Sequence, residues 1–227
     1  MKSQKILIML LMISFASLFI SCDKQTGKND TQTQKQTDQQ TTKTGITKSE
    51  VELRDAMDRL WIDHVSWTRN VILNIMDGLA GTDDALKRLL KNQEDIGSAV
   101  GTYYGKDAGE KLTALLKTHI VQAGDLLKAA KQDDQGKFKT INEDWKKNAD
   151  SIAVFLSKAN SANWPESEMK KMMQDHLTLT IDEATARLKK DYAADVKAYD
   201  KVVDEILMMS DMLSAGIVKQ YPEKFAK

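Results

Sequence analysis

The sequence predicts an all-α fold, a helical bundle of about six helices arranged as three repeated helical hairpins. Three observations carry this. Beyond Ser49 the chain has only two prolines, Pro165 and Pro222, and no alternating run that reads as a strand. Apolar residues recur at helical spacing in six successive segments. Chemically distinctive residues return at a regular interval, long enough for one helical hairpin.

The first segment, about Ser49–Leu79, carries Leu53, Met57, Leu60, His64, Val71 and Ile75 on one stripe and stops at Asp77-Gly78 and Gly81. The second, about Asp83–Tyr103, carries Leu86, Leu89, Ile96 and Val100. The third, about Ala108–Gln132, carries Leu112, Leu115, His119, Ala123 and Leu126. The fourth, about Asp134–Ala159, carries Ile141, Trp145, Ile152 and Phe155. The fifth, about Glu166–Lys189, carries Met169, Met172, His176 and Leu188. The sixth, about Tyr192–Gln220, carries Tyr199, Ile206, Met209 and Leu213. A domain of about 180 residues buries roughly 70% of its unfolded surface, so residues 48–227 suffice for one core.

The three histidines, His64, His119 and His176, recur at almost equal intervals, each on the apolar stripe of an odd-numbered helix. A turn follows each after one further stretch of helix, at Gly78 to Thr82, Gln132 to Gly136 and Lys189 to Asp191. Asn92 and Asn148 are separated by the same kind of interval, each four positions before an isoleucine; the third hairpin has no Asn there. Each hairpin ends on an aromatic followed by Gly or Pro: Tyr104-Gly105, Trp164-Pro165 and Tyr221-Pro222. Such hairpins can stack in a row or surround a common axis.

The N-terminus reads as an export signal over residues 1–21. Lys2 and Lys5 precede an apolar run from Ile6 to Ile20, which has the length of a signal-peptide core and is too short for a stable bilayer span. The run ends in Leu18-Phe19-Ile20-Ser21-Cys22, which resembles the lipobox of bacterial lipoproteins. That pattern usually has Leu at the third position before the cysteine, where this chain has Phe19. The resemblance implies that Cys22 becomes the lipidated first residue of a mature protein held on a membrane of the bacterial cell envelope. Cys22 is the sole cysteine, so no intrachain disulfide can form. Two acyl chains, palmitate or similar, anchor stably where a single chain is marginal. Residues 22–47 then read as Cys22 followed by a polar tether of Gln, Thr, Lys and Asp with a single Ile, too poor in apolar surface to fold. As a flexible chain of about 25 residues it reaches roughly 25–30 Å. Without Lys2 and Lys5 the chain has 31 basic and 33 acidic residues, which gives no electrostatic case for binding nucleic acid.

The stretches LWIDHVSWTRNVI, RLLKNQEDIG, YYGKDAGEKLTALLKTHI, HLTLTIDEATARL and ILMMSDMLSAGIVKQYP resemble an uncharacterised family of bacterial all-helical proteins, over nearly all of residues 50–225. The resemblance implies the fold. Some members carry transferase names, but no residues here match such an activity.

The candidate sites follow from the repeat. His64, His119 and His176 would meet if the hairpins share an axis, and three imidazoles with an open position suit a transition metal or a small ligand. Thr68 and Thr180, one turn beyond His64 and His176, and Glu183, two turns beyond His176, could then support the ring nitrogens. The blander alternative is a buried polar network, each histidine bonding a neighbouring helix or an amide such as Asn92 or Asn148. Against metal, no Glu stands at the third position before a His and no His-x-x-x-His pair occurs. Met169, Met172, Met173, Met208, Met209 and Met212 read first as core filling, with thioether ligands as the alternative. The four tryptophans read as packing.

Catalysis has no support. Cys22 is committed to lipid, no Gly-x-Ser-x-Gly occurs, and Gly97 and Gly101 lie within a helix rather than in a phosphate loop. Asp83-Asp84 and Asp133-Asp134 read as helix-start residues that complement the dipole. The expectation is a non-catalytic, membrane-anchored binding module, with an unidentified protein or small-molecule partner and no necessary cofactor. The alternative is a metal-binding protein that uses the three histidines.

Overall fold

The computed structural model describes residues 45–226. The expected export signal, Cys22 and nearly all of the expected tether lie outside them. Six α-helices follow in order: α1 Lys48–Asp77, α2 Thr82–Tyr104, α3 Lys106–Lys131, α4 Gln135–Ala159, α5 Glu166–Leu188 and α6 Tyr192–Gln220, with a short 3-10 turn at Pro222–Lys224. No described residue is in a strand. No described helix is long and apolar enough to cross a membrane.

The helix ends follow local chemistry. Thr47 caps α1 in a capping box, its side chain accepting from Glu50 N while Glu50 accepts from Thr47 N. Gly78 closes the helix at φ 70°, in the left-handed region where glycine is unstrained. The other two within-hairpin turns are copies of one another, one repeat apart. Asp133 and Lys190 adopt positive φ, and the next residues, Asp134 and Asp191, cap α4 and α6 by accepting from Lys137 N and Ala194 N. Asp134 is thus a true cap, whereas Asp83 and Asp84 only occupy the first turn of α2, whose cap is Gly81.

Each helix packs against the next in sequence, and α6 returns to pack against α1, so the six close into a ring. Helix α1 also touches α3 and α5 across the interior. The hairpins therefore surround a common axis, with the odd helices inward. Equivalent positions have equivalent environments. Val65, Ile120 and Leu177, each following its histidine, are buried, as are Ile72, Leu127 and Ala184 two turns later. Tyr104, Trp164 and Tyr221 meet at one end of the axis, with ring centroids 5.6 Å apart from Tyr104 to each of the others.

Gly97 and Gly101 serve the crossing of α2 over α3. A Cβ on Gly109 would lie 2.5 Å from the Gly97 carbonyl oxygen and 3.0 Å from Gly101 Cα, both backbone atoms that cannot swing aside. Gly109→Ala should therefore cost about 2–3 kcal/mol of stability, at the upper end for overpacking. Urea unfolding of the variant tests this, and a loss under about 0.5 kcal/mol, within the range of an ordinary surface substitution, would show that the crossing is not tight.

Candidate functional site

The ring of hairpins brings all three histidines to one place. His64, His119 and His176 are buried and line a single axial cavity together with Met57, Met173 and Met209. The His64 and His176 rings are 5.7 Å apart between centroids. His119 stacks on Trp145 at 5.0 Å, and Trp61 meets His64 edge-on at 5.7 Å. The cavity holds about 20 Å³, room for one water-sized occupant.

The outer nitrogen of each ring is tied to the second helix of its own hairpin, always at the same offset along the chain. His176 Nδ1 donates to Glu205 Oε2 at 2.9 Å. His119 Nδ1 donates to Asn148 Oδ1 at 2.9 Å, and the amide is oriented by its own donation to Leu115 O. His64 Nδ1 lies 3.2 Å from Gln93 Nε2. Gln93 Nε2 also reaches Leu89 O and Asn92 Oδ1, three partners for two hydrogens, while its Oε1 is buried without a partner. With each Nδ1 directed outward, Nε2 on the far side of the ring is left for the cavity. Among the described residues no hydrogen bond uses any of the three Nε2 atoms.

Burial, and then the neighbouring imidazoles, hold His64 well below the usual histidine range; the same causes take His119 down to about 3. Both rings are neutral at neutral pH, the state in which a nitrogen can act as a ligand.

Three expected supports act elsewhere. Thr68 and Thr180 do not touch the rings; their hydroxyls donate to the backbone oxygens of His64 and His176, one turn back. Both instead line a second apolar cavity of about 40 Å³. Glu183 accepts from Arg69 Nη1 at 2.6 Å, so it belongs to an ion cluster and not to the imidazole site. It occupies the place that Val71 and Leu126 take in the other hairpins, a buried charge in a core position.

Asn92 needs a similar correction. It donates to Leu60 O, as Asn148 does to Leu115 O, one turn before each histidine. In the first hairpin two residues divide the work that Asn148 does alone, Asn92 taking the carbonyl and Gln93 the ring. Glu205 fills the place where the third hairpin has no Asn. Gln93 and Glu205 are the ring partners that the sequence reading misses. The signal was present as the constant offset of 29 from each histidine to its partner.

The ion cluster ties α1, α5 and α6 together. Arg69 holds Asp195 with two nitrogens at 2.8 and 3.2 Å, lies 4.6 Å over the Tyr199 ring, and shares Asp195 with Arg187, which also pairs with Asp77. Burial pushes Glu183 up to about 7 against the pull of Arg69.

Among the described residues no three His, Cys, Asp or Glu side chains stand close enough together to hold a metal ion. The close pair of His64 and His176 is the tightest part of the site, with His119 completing the wall. No protein-family model, curated protein or solved structure matches the chain.

Proposed function

We propose that this protein is an exported lipoprotein of the bacterial cell envelope, anchored to a membrane through Cys22, and that its helical domain is a non-catalytic module that binds a metal ion in the axial cavity. What carries the reading is the treatment of the three imidazoles. One comes from each hairpin, all line the same cavity, and each has its outer nitrogen occupied and its inner nitrogen unclaimed. Ligand histidines donate their other N–H to an acceptor, as His119 and His176 do; at His64 the Gln93 amide donates to the ring instead. Buried ring nitrogens without a protein partner call for an occupant of the cavity, a water or an ion. The cavity volume of about 20 Å³ suits an occupant the size of an ion or a water. The anchor rests on the lipobox-like ending at Cys22 and the polar stretch after it.

Each half has its own test. Cys22→Ala should move the protein from the membrane fraction to the soluble fraction or leave it uncleaved, and unchanged fractionation would defeat the anchor. For the module, untagged protein is heated with Cu(I), Zn(II) or Ni(II). An ion present at about 100 times its Kd adds about 2.7 kcal/mol, or roughly 5–10 °C in Tm for a domain of this size. The shift should vanish in His64→Gln/His176→Gln. No shift with any of the three ions would remove the ion site.

A further inference from the structure

We propose that the ion is monovalent copper, Cu(I), bound by Nε2 of His64, Nε2 of His176 and a methionine thioether. The proposal rests on the reading of the axial cavity as an ion site and goes beyond it by naming the ion and its donors.

Two observations select this ion. The first is the number and type of donors. Two imidazoles whose nitrogens each lie about 2.0–2.1 Å from one ion have centroids roughly 5–5.5 Å apart. The 5.7 Å between His64 and His176 needs only a small approach to reach that. No third His, Cys, Asp or Glu joins them among the described residues, which disfavours zinc and its usual tetrahedral set. Cu(I) accepts a low coordination number and favours soft donors, thioethers among them. Three methionines line the same cavity. Met57 lies two turns before His64 on α1, Met173 one turn before His176 on α5, and Met209 one turn beyond Glu205 on α6. All three are buried. Methionine, elsewhere a flexible filler of cores, here faces two nitrogens without partners.

The second is charge. The donors are neutral, so the ion brings its whole charge into an apolar cavity. The cost of desolvating an ion rises with the square of its charge, which favours a monovalent ion strongly over a divalent one. One acidic side chain touches the site, Glu205 on His176 Nδ1, and no second one stands there among the described residues. A divalent ion would leave an unbalanced charge in the core.

The outer residues set the tautomers. Ligation at Nε2 requires the proton on Nδ1, and Glu205 already accepts that proton's hydrogen bond from His176. At His64 the Gln93 amide donates to Nδ1 instead, so ligation there requires Gln93 to turn away and give up its bonds to Leu89 O and Asn92 Oδ1.

The test uses the untagged mature protein, titrated without oxygen with Cu(I) against bicinchoninate, a chromogenic Cu(I) chelator. The wild type should hold one Cu(I) per chain. His64→Gln/His176→Gln, checked for helicity by circular dichroism, should bind about 100-fold more weakly or worse. Met57→Leu/Met173→Leu/Met209→Leu keeps core volume and imidazoles and should bind about 10-fold more weakly. X-ray absorption at the copper edge of the wild type should show nitrogen neighbours and one sulfur at about 2.3 Å, a result independent of whether any variant folds. Nitrogen and oxygen neighbours alone, or unchanged affinity in the methionine variant, would overturn the thioether assignment. If Zn(II) or Ni(II) binds one per chain and is lost with the two histidines, while Cu(I) does not compete with the chelator, Cu(I) is wrong and the ion site stands. If none of the three ions is retained, both fall.

Discussion

Arg69→Met is expected to lower the unfolding free energy by about 3–5 kcal/mol at pH 8, the range for removing one partner of a buried ion pair. Arg69 is the cation that Glu183 and Asp195 share, and the two carboxylates are 2% and 1% exposed. Asp195 keeps a second partner in Arg187 at 3.2 Å, but Glu183 bonds to Arg69 alone among the described residues. The penalty therefore falls on Glu183, and its size should depend on pH. A carboxyl held above its unfolded value of 4.5 favours the fold in its protonated form. That contribution is present below pH 4.5 and is lost as pH rises through about 7. Without Arg69 the carboxyl shifts further up, so the variant should lose less at pH 5, where the protonated form remains available, than at pH 8. The repeat supplies the rescue. Val71 and Leu126 hold the equivalent position in the other hairpins, and Arg69→Met/Glu183→Leu should recover most of the loss because it removes the stranded charge as well. Urea unfolding at both pH values measures all of this. Equal losses at pH 5 and pH 8, or no recovery in the double variant, would show that the cluster is not held by charge.

The helical architecture was legible because it is written in periodicity, which is a local property. All six helices lie close to the expected bounds, and α6 matches at both ends. The axis was half legible. The spacing of the histidines and of the closing aromatics required three equivalent hairpins, but a repeat read along the chain does not say whether its units stack or close. The closure is made by α6 against α1, a contact between the two ends of the domain that no local pattern encodes. Asn148 is legible as a partner and does bond His119, but the other supports are misassigned because reasoning along one helix face names neighbours one or two turns away. Thr68, Thr180 and Glu183 lie there, yet a threonine in a helix satisfies its hydroxyl on its own backbone. The actual partners sit across the hairpin on another helix. Glu205 was also hidden because the third hairpin replaces an amide by a carboxylate, which keeps the acceptor and changes the residue type.

Acid should unfold the metal-free protein in two stages, and the groups responsible can be separated. His64 and His119 are neutral in the fold, with pKa values below 6.5, whereas the unfolded chain takes up protons at both as pH falls through 6.5. The unfolded state then binds more protons, so stability rises with pH and is lost on acidification. Each group contributes about 1.4 kcal/mol per pH unit between its two pKa values. Glu183 works the other way between pH 4.5 and about 7, where the fold holds the extra proton. From pH 6.5 to 4.5 it opposes the histidines, so the loss is shallow. Below pH 4.5 its opposition ends, and the loss steepens until His119 titrates near pH 3. Urea unfolding at half-unit pH intervals should show the break in slope near 4.5. Glu183→Gln should remove it by steepening the upper stage, and His119→Gln should make the lower stage shallower. A single slope unaffected by either substitution would mean that these buried groups do not govern the acid limb.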